Sequence, residues 1–297
     1  MSLQSLLRVV MLLACAAATV AGADPAELPR AVGLVDDPCP APLEKPPGVQ
    51  AGYDLLIVPG ALERSKFPPP DGPAEERYWA DLEQLKASDW PELCRYPAEN
   101  RADLARGPVR VVFMGDSITD FWKMASPDFF VDGILDRGIS GQTSGQMVLR
   151  FQADVIALHP AVVHVLAGTN DAASNAGPQR PADLENNLRT MAELARAHGI
   201  RVVIGTIPPA HYFFWQKGID PRARIAEVNA WIRDYARREK LALVDYHAVL
   251  ANPDGTFRED LSNDGVHPNA NGYRAMERTL APVLAKMLRR GGPASAR

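Results

Sequence analysis

Cysteine is scarce in this chain: three residues, Cys15, Cys39 and Cys94, among 297. The stretch "DYH" at 245–247 has no third ligand at metal spacing, so no metal site is expected. A net positive charge is also missing. The formal balance is −4, which removes the field that would draw the chain to nucleic acid or anionic lipid. Lys286, Arg289, Arg290 and Arg297 near the end read as a solvated, dipole-compensating helix terminus. No Gly-rich phosphate loop follows a strand, and no Gly-X-Ser-X-Gly elbow exists, because Ser117 is followed by Ile-Thr. No metal or organic cofactor is therefore implied. Internal repeats are absent, and after the N-terminus no apolar run approaches membrane length.

Residues 1–23 read as an export signal: Arg8, an apolar run, then Ala21-Gly22-Ala23 as a small-residue cleavage site. "LLAC", ending at Cys15, loosely resembles a lipoprotein processing box. The apolar stretch before it is short for that role, so cleavage after Ala23 is expected. Cleavage leaves Cys39 and Cys94. In an oxidising compartment these are expected to form one disulfide, against the alternative of two free thiols.

What is abundant is proline, 26 residues, concentrated before residue 71. Stretches such as "DPCPAPLEKPP" and "KFPPPDGP" predict an extended surface arm with 53–58 as its apolar anchor. Helices are expected over 73–90 and 91–104, so 24–104 is read as an arm plus N-terminal helices. From 105 to 291 a single domain is expected. Short Val/Ile/Leu strands at 109–114, 133–139, 161–167, 201–207 and 241–245 alternate with amphipathic helical patterns. That pattern predicts a three-layer α/β/α sandwich around a parallel sheet of about five strands, both faces covered. Ligands in such folds gather beyond the carboxyl ends of the strands.

Those ends carry chemistry. The first strand delivers Gly115-Asp116-Ser117, where Ser117 is either an N-cap paired with Asp120 three residues on or a nucleophile at the mouth of a sheet. A hydroxyl needs a base to take its proton during attack, and His267 is the candidate. Pro268 fixes it at the start of the closing helix. Asp264, three residues earlier, can accept the Nδ1 proton and leave Nε2 for Ser117. Oxyanion donors would be the backbone N–H groups of Ser117 and Gly141 and the side-chain amide of Asn170. Asp116 and Asp171 read as braces for the loops. His164, inside a predicted strand, reads as a core residue, and Phe121 and Trp122 as packing.

The segments "FMGDSITDFW", "RGISGQT", "GTND" and "DGVHP" resemble, in order and spacing, those of the SGNH hydrolases, also called GDSL esterases/lipases. The resemblance covers about 109–288. It implies a flavodoxin-like fold with Ser117, Gly141, Asn170 and His267 as the name-giving residues and Asp264 as the triad acid. Many members have Asn where this chain has Arg137.

The cluster His211, Tyr212, Phe213, Phe214, Trp215 either fills the core or walls the pocket, stacking on a sugar or gripping an acyl chain. The pocket wall is preferred, with His211, Tyr212, Phe214 and Trp215 as substrate-binding candidates. The expected function is an exported (periplasmic or secreted) serine esterase acting on short acyl esters, first of all O-acetyl groups on carbohydrate. A lysophospholipase or longer-chain lipase is the second reading, and a non-catalytic carbohydrate-binding module the rival from another class. No nucleic-acid partner and no transmembrane segment are expected.

Overall fold

The computed structural model describes residues 38–61 and 72–289. The export signal, Cys15 and its cleavage site lie outside the described residues. The chain divides into two units, Met1–Pro40 and Ala41–Arg297. Of the first, only residues 38–40 are described, and they have no regular structure. Cys39 and Cys94 are both disulfide-bonded.

In the second unit the order is α1 (Pro47–Ile57), α2 (Pro73–Ser88), α3 (Pro97–Arg106), β1 (Val111–Gly115), α4 (Ser117–Ala125) and β2 (Ile134–Gly138). There follow α5 (Ser144–Asp154), β3 (Val162–Leu166), the one-turn α6 (Thr169–Ala172), α7 (Pro181–Ala197) and β4 (Arg201–Gly205). α8 (Arg222–Arg238), β5 (Ala242–Val244), the short α9 (Tyr246–Leu250) and α10 (Ala270–Arg289) complete it. The five strands form one parallel sheet in the order β2-β1-β3-β4-β5, the flavodoxin-like order, so the fold is the three-layer sandwich expected.

Side-chain alternation sorts the core into two layers. Val112 and Met114 of β1 and Val163 and Val165 of β3 meet Met147 and Phe151 of α5, Leu188 of α7 and Ile232 of α8. Val111, Phe113 and Val162 face the other way, onto Trp122 of α4, Tyr246 of α9 and Tyr273 and Met276 of α10. Both β1 faces are fully buried, which is why its sequence is an unbroken apolar run rather than an alternating one. Trp122 is the largest wholly buried side chain among the described residues, and its indole N–H donates to Glu277 at 2.9 Å, pinning α4 to α10.

Two expectations are corrected, and one of the two alternatives for Ser117 falls away. The segment read as extended arm contains α1, because Pro46 and Pro47 sit at its N-cap and first turn, where a missing N–H loses no helical bond. Residues 91–96 are turns, and the second helix starts only at Pro97. Ser117 is not the cap of α4. Asp116 is, its carboxylate accepting the Ile118 N–H at 2.9 Å, while Asp120 accepts the Ser140 hydroxyl at 2.6 Å instead.

Gly138 ends β2 against the first turn of α4. A Cβ there would lie 2.2 Å from the Asp120 nitrogen, so only glycine lets α4 pack this close to the sheet.

Candidate active site

β1 ends at Gly115 and the chain turns at once into α4, leaving Ser117 as its first residue and 7% exposed. The Ser117 hydroxyl lies 2.9 Å from His267 Nε2. On the far side of the ring, Nδ1 is 2.6 Å from Asp264 Oδ2. Asp264 is held as tightly as it holds. Its Oδ1 accepts the backbone N–H groups of Val266 and His267, both at 2.8 Å, and the Ser262 hydroxyl at 3.3 Å. The structure thus brings Ser117 together with the two residues, Asp264 and His267, that the loop spacing paired with it.

Burial alone would favour a neutral imidazole and a neutral carboxyl. In His267 burial lowers the pKa, but the Asp264 charge and hydrogen bond, with a smaller contribution from the Asp116 charge, raise it above the ordinary 6.5. In Asp264 burial raises the pKa, yet the His267 charge and the bonds from His267 and Val266 carry it below 3.8. The pair is therefore tuned to stabilise an imidazolium beside an ionised acid. Asp116 behaves differently. Burial pushes it up to about 7, against the Ile118 N–H and the His267 charge, both of which lower it. The Phe121 ring, read as packing, packs on the His267 ring at 5.2 Å between centroids.

Gly141 lies in the loop after β2 with φ +87, a backbone that β-carbons disfavour. Asn170 lies in α6, beyond the end of β3, and is 2% exposed. Its Nδ2 donates to Gln142 O at 3.0 Å, and its Oδ1 accepts from Asn175 Nδ2 at 2.7 Å. Asp171 accepts the Ser144 N–H at 2.9 Å and the Ser144 hydroxyl at 2.5 Å, bracing the N-terminus of α5 as expected of it.

Sequence reasoning missed the residues that hold this side together. Arg150 is fully buried and donates to Gly115 O at 2.9 Å, Arg137 O at 2.8 Å, Gln142 Oε1 at 2.6 Å and Asp154 at 3.2 Å. It ties the ends of β1 and β2 to the loop bearing Gly141. A charge on the same helical face as Met147 and Phe151 was the signal available. Arg137, the departure noted above, is 2% exposed and donates to Asn100 at 2.7 Å and Asp103 at 2.6 Å, anchoring α3 to β2.

The loop after β4 divides. Phe213 is buried in the core at 1% exposure, whereas Phe214 and Trp215 are exposed and in edge contact with each other at 4.7 Å. Trp215 lies 6.2 Å from the His267 ring, and Tyr212 donates its hydroxyl to Asp264 O at 2.6 Å. His211 packs edge-on against Tyr212 at 4.6 Å. His164 is a core residue as read, its Nε2 2.8 Å from the Tyr246 hydroxyl, with burial lowering its pKa to about 3. Among the described residues no group of three His, Cys, Asp or Glu is placed to hold a metal ion, and no helix is long and apolar enough to cross a membrane.

Comparison with known proteins gives three kinds of match. A family model described as the GDSL-like lipase/acylhydrolase family matches residues 113–275. The Bacillus subtilis lipoprotein YqeF, itself uncharacterized, is 31% identical over 159 residues, which are 46% of this chain and 65% of that protein, just under two thirds of its length. Esterase TesA of Pseudomonas aeruginosa is 30% identical over 159 residues, 52% of this chain and 71% of that one. Among solved structures, a GDSL-like lipase of Bacteroides thetaiotaomicron is 41% identical with a TM-score of 0.63, covering 66% of this chain and 98% of that chain.

Proposed function

The chain belongs to the GDSL-like lipase/acylhydrolase family, a family of carboxylic ester hydrolases, and from that premise we propose that it is an exported serine esterase for short acyl groups. The observation that carries this reading is the unbroken line from Ser117 Oγ to His267 Nε2 at 2.9 Å and from His267 Nδ1 to Asp264 at 2.6 Å. A binding module has no use for a base aligned on a serine.

In the mechanism proposed, Ser117 Oγ attacks the ester carbonyl while its proton passes to His267 Nε2. The Ser117 and Gly141 N–H groups and Asn170 Nδ2 hold the tetrahedral oxyanion. Collapse breaks the C–O bond, and His267 returns the proton to the leaving alkoxide. Water then attacks the acyl-serine, its proton taken by the same ring, and the acid leaves with Ser117 restored. Asp264 stays ionised throughout.

The low exposure of Ser117 and His267, 7% and 6%, favours a small acyl group such as acetyl. The exposed faces of Phe214 and Trp215 beside the base favour a sugar as the alcohol half, since flat apolar rings stack on one another's faces and on sugar rings alike. Export is favoured by residues 1–23 and by the lipoprotein among the relatives. The ester-hydrolysing domain is proposed to span 105–291, with 24–104 as its N-terminal extension.

Hydrolysis of p-nitrophenyl acetate by wild type and Ser117→Ala tests the assignment. Wild type is expected to turn over and the variant to fall to background; equal rates overturn it. Profiling esters from acetate to palmitate tests the acyl class. A maximum at acetate is expected, and a maximum at long chains replaces the short-chain reading with a lipase.

A further inference from the structure

Resting on the ester-hydrolase reading above, we infer that Asn175 and Trp215 are positioning residues that decide which atom of the Asn170 amide faces the reacting carbonyl. An asparagine side chain is nearly symmetric in shape but opposite in chemistry at its two ends: one carries two donors, the other only accepts. Rotated by half a turn, Asn170 would present an oxygen to the oxyanion and destabilise it. Position in the fold does not settle that orientation; its hydrogen-bond partners do.

Asn170 Nδ2 gives one N–H to Gln142 O at 3.0 Å, which leaves a second for the oxyanion. Its Oδ1 accepts from Asn175 Nδ2 at 2.7 Å. Asn175 has the same ambiguity and resolves it with two further contacts. Its Nδ2 also lies 3.4 Å from Gly141 O, and its Oδ1 accepts the Trp215 indole N–H at 2.9 Å. An indole N–H donates and cannot accept, so the sequence of bonds has one direction only. Reversing Asn175 would set its oxygen against two others and its N–H groups against the indole N–H. Reversing Asn170 would set oxygen against Gln142 O.

The backbone prepares this relay. The Asn175 N–H donates to Asn170 O at 3.0 Å, and Ser174 takes φ 57 to close the turn after α6. Trp215 enters from the loop after β4, beside the His267 ring at 6.2 Å. One loop thereby borders the base and also fixes the donor opposite it. The link from Trp215 is solvent-exposed, so it is weaker than the buried bond from Asn170 to Gln142 and the part-buried one from Asn175 to Asn170.

The test compares Asn175→Asp, Asn175→Ala and Trp215→Phe on p-nitrophenyl acetate, with Ser117→Ala as control and thermal melting for each. Asn175→Asp keeps size and shape but can only accept. Asn170 then loses its donor or turns to face the new carboxylate, and kcat is expected to drop about a hundredfold with KM nearly unchanged. Asn175→Ala frees the Asn170 amide without reversing it, giving a loss of about tenfold, and Trp215→Phe only a few-fold. Affinity for a short alkyl boronic acid, which forms a tetrahedral adduct on serine, is expected to fall in parallel with kcat. A merely structural brace predicts the opposite order, truncation worse than the isosteric change. The inference is overturned if Asn175→Asp keeps at least the kcat of Asn175→Ala. Should Asn175→Asp melt far below wild type, full activity in both Asn175→Ala and Trp215→Phe overturns it instead. A dead Ser117→Ala beside an unimpaired Asn175 series rejects the relay alone; an active Ser117→Ala rejects the esterase reading beneath it.

Discussion

The two sides of the proposed site, the base side at Asp264 and His267 and the oxyanion side at Gly141 and Asn170, are built by different means. Asp264 gathers bonds from Ser262, Val266 and His267, all within one loop, and so orients the imidazole mainly from within that loop, with the Phe121 ring and the Tyr212 hydroxyl adding contacts from outside it. On the oxyanion side one orienting bond is local, from Asn175 to Asn170 five residues earlier, but others span the fold. Asn170 reaches Gln142 across 28 residues and Arg150 reaches Gly115 across 35. Gln142 and Gln146 donate to Pro91 O and Trp90 O, more than 50 residues back, in the segment between α2 and α3. The base is organised locally, and charge does the tuning. The donors are organised by tertiary packing, and geometry does it. Damage to the fold should therefore reach the oxyanion side first.

Asp264→Asn breaks the base side and carries the largest effect. It keeps the volume but removes the charge, so turnover is expected to fall about four orders of magnitude, as loss of the acid does in other triads. The pH profile separates the two sides. Ser117 needs neutral His267, so kcat/KM in wild type should rise with pH around a midpoint above 6.5. Linkage gives the matching sign in stability: protonated His267 stabilises the fold below its unfolded pKa, and that contribution is lost as pH climbs through the raised folded value. Without the Asp264 charge, burial prevails and the residual activity should rise at lower pH. Asn170→Ala comes next. Loss of one oxyanion donor removes roughly a hundredfold or more in kcat, with the midpoint unmoved because the imidazole keeps its partners. A midpoint shift in Asn170→Ala would break the division between the two sides.

The same division explains what could be read from the chain. The Asp264–His267 pairing was legible because its whole geometry fits inside four residues. The strands were legible because fully buried parallel strands must be apolar throughout. Arg150 and Gln142 were not, since Gly115, Pro91 and Asn170 are brought near them only by the fold; nor was Asn175, whose neighbour Asn170 is local but whose other partners, Gly141 and Trp215, are not. Two errors were local instead. Pro46 and Pro47 look like breakers in a proline-rich stretch, yet proline is well suited to a helix start. Ser117 was weighed as a cap when its neighbour Asp116, equally suited to capping, takes that place one residue earlier.

Arg150→Met sharpens the comparison through stability. It strips two strand-end carbonyls and Asp154 of a fully buried cation, and breaking such a pair typically destabilises by ~3–5 kcal/mol. Melting should drop by roughly 10 °C in a domain of this size. Remaining folded enzyme should have lost kcat, since Gln142 no longer holds the Gly141 loop, yet keep the wild-type pH midpoint. Retained kcat with a shifted midpoint would mean that Arg150 serves the base.

The smallest effect belongs to Asp116, which stands between the two sides. Its carboxylate caps α4 and so seats Ser117, but its charge also reaches His267. Asp116→Asn preserves the cap, because the amide oxygen can still accept the Ile118 N–H, and removes the charge alone. Of the influences on His267, the Asp116 charge is weaker than burial and weaker than Asp264. The kcat/KM midpoint should therefore move down by a fraction of a pH unit, in the direction of Asp264→Asn but far short of it, with melting nearly unchanged. Because Asp116 itself titrates at about 7, the shift should be clearest above that pH, where wild type carries the charge and the variant does not. A midpoint identical to wild type would confine Asp116 to the helix cap and leave Asp264 as the single carboxylate that tunes the base.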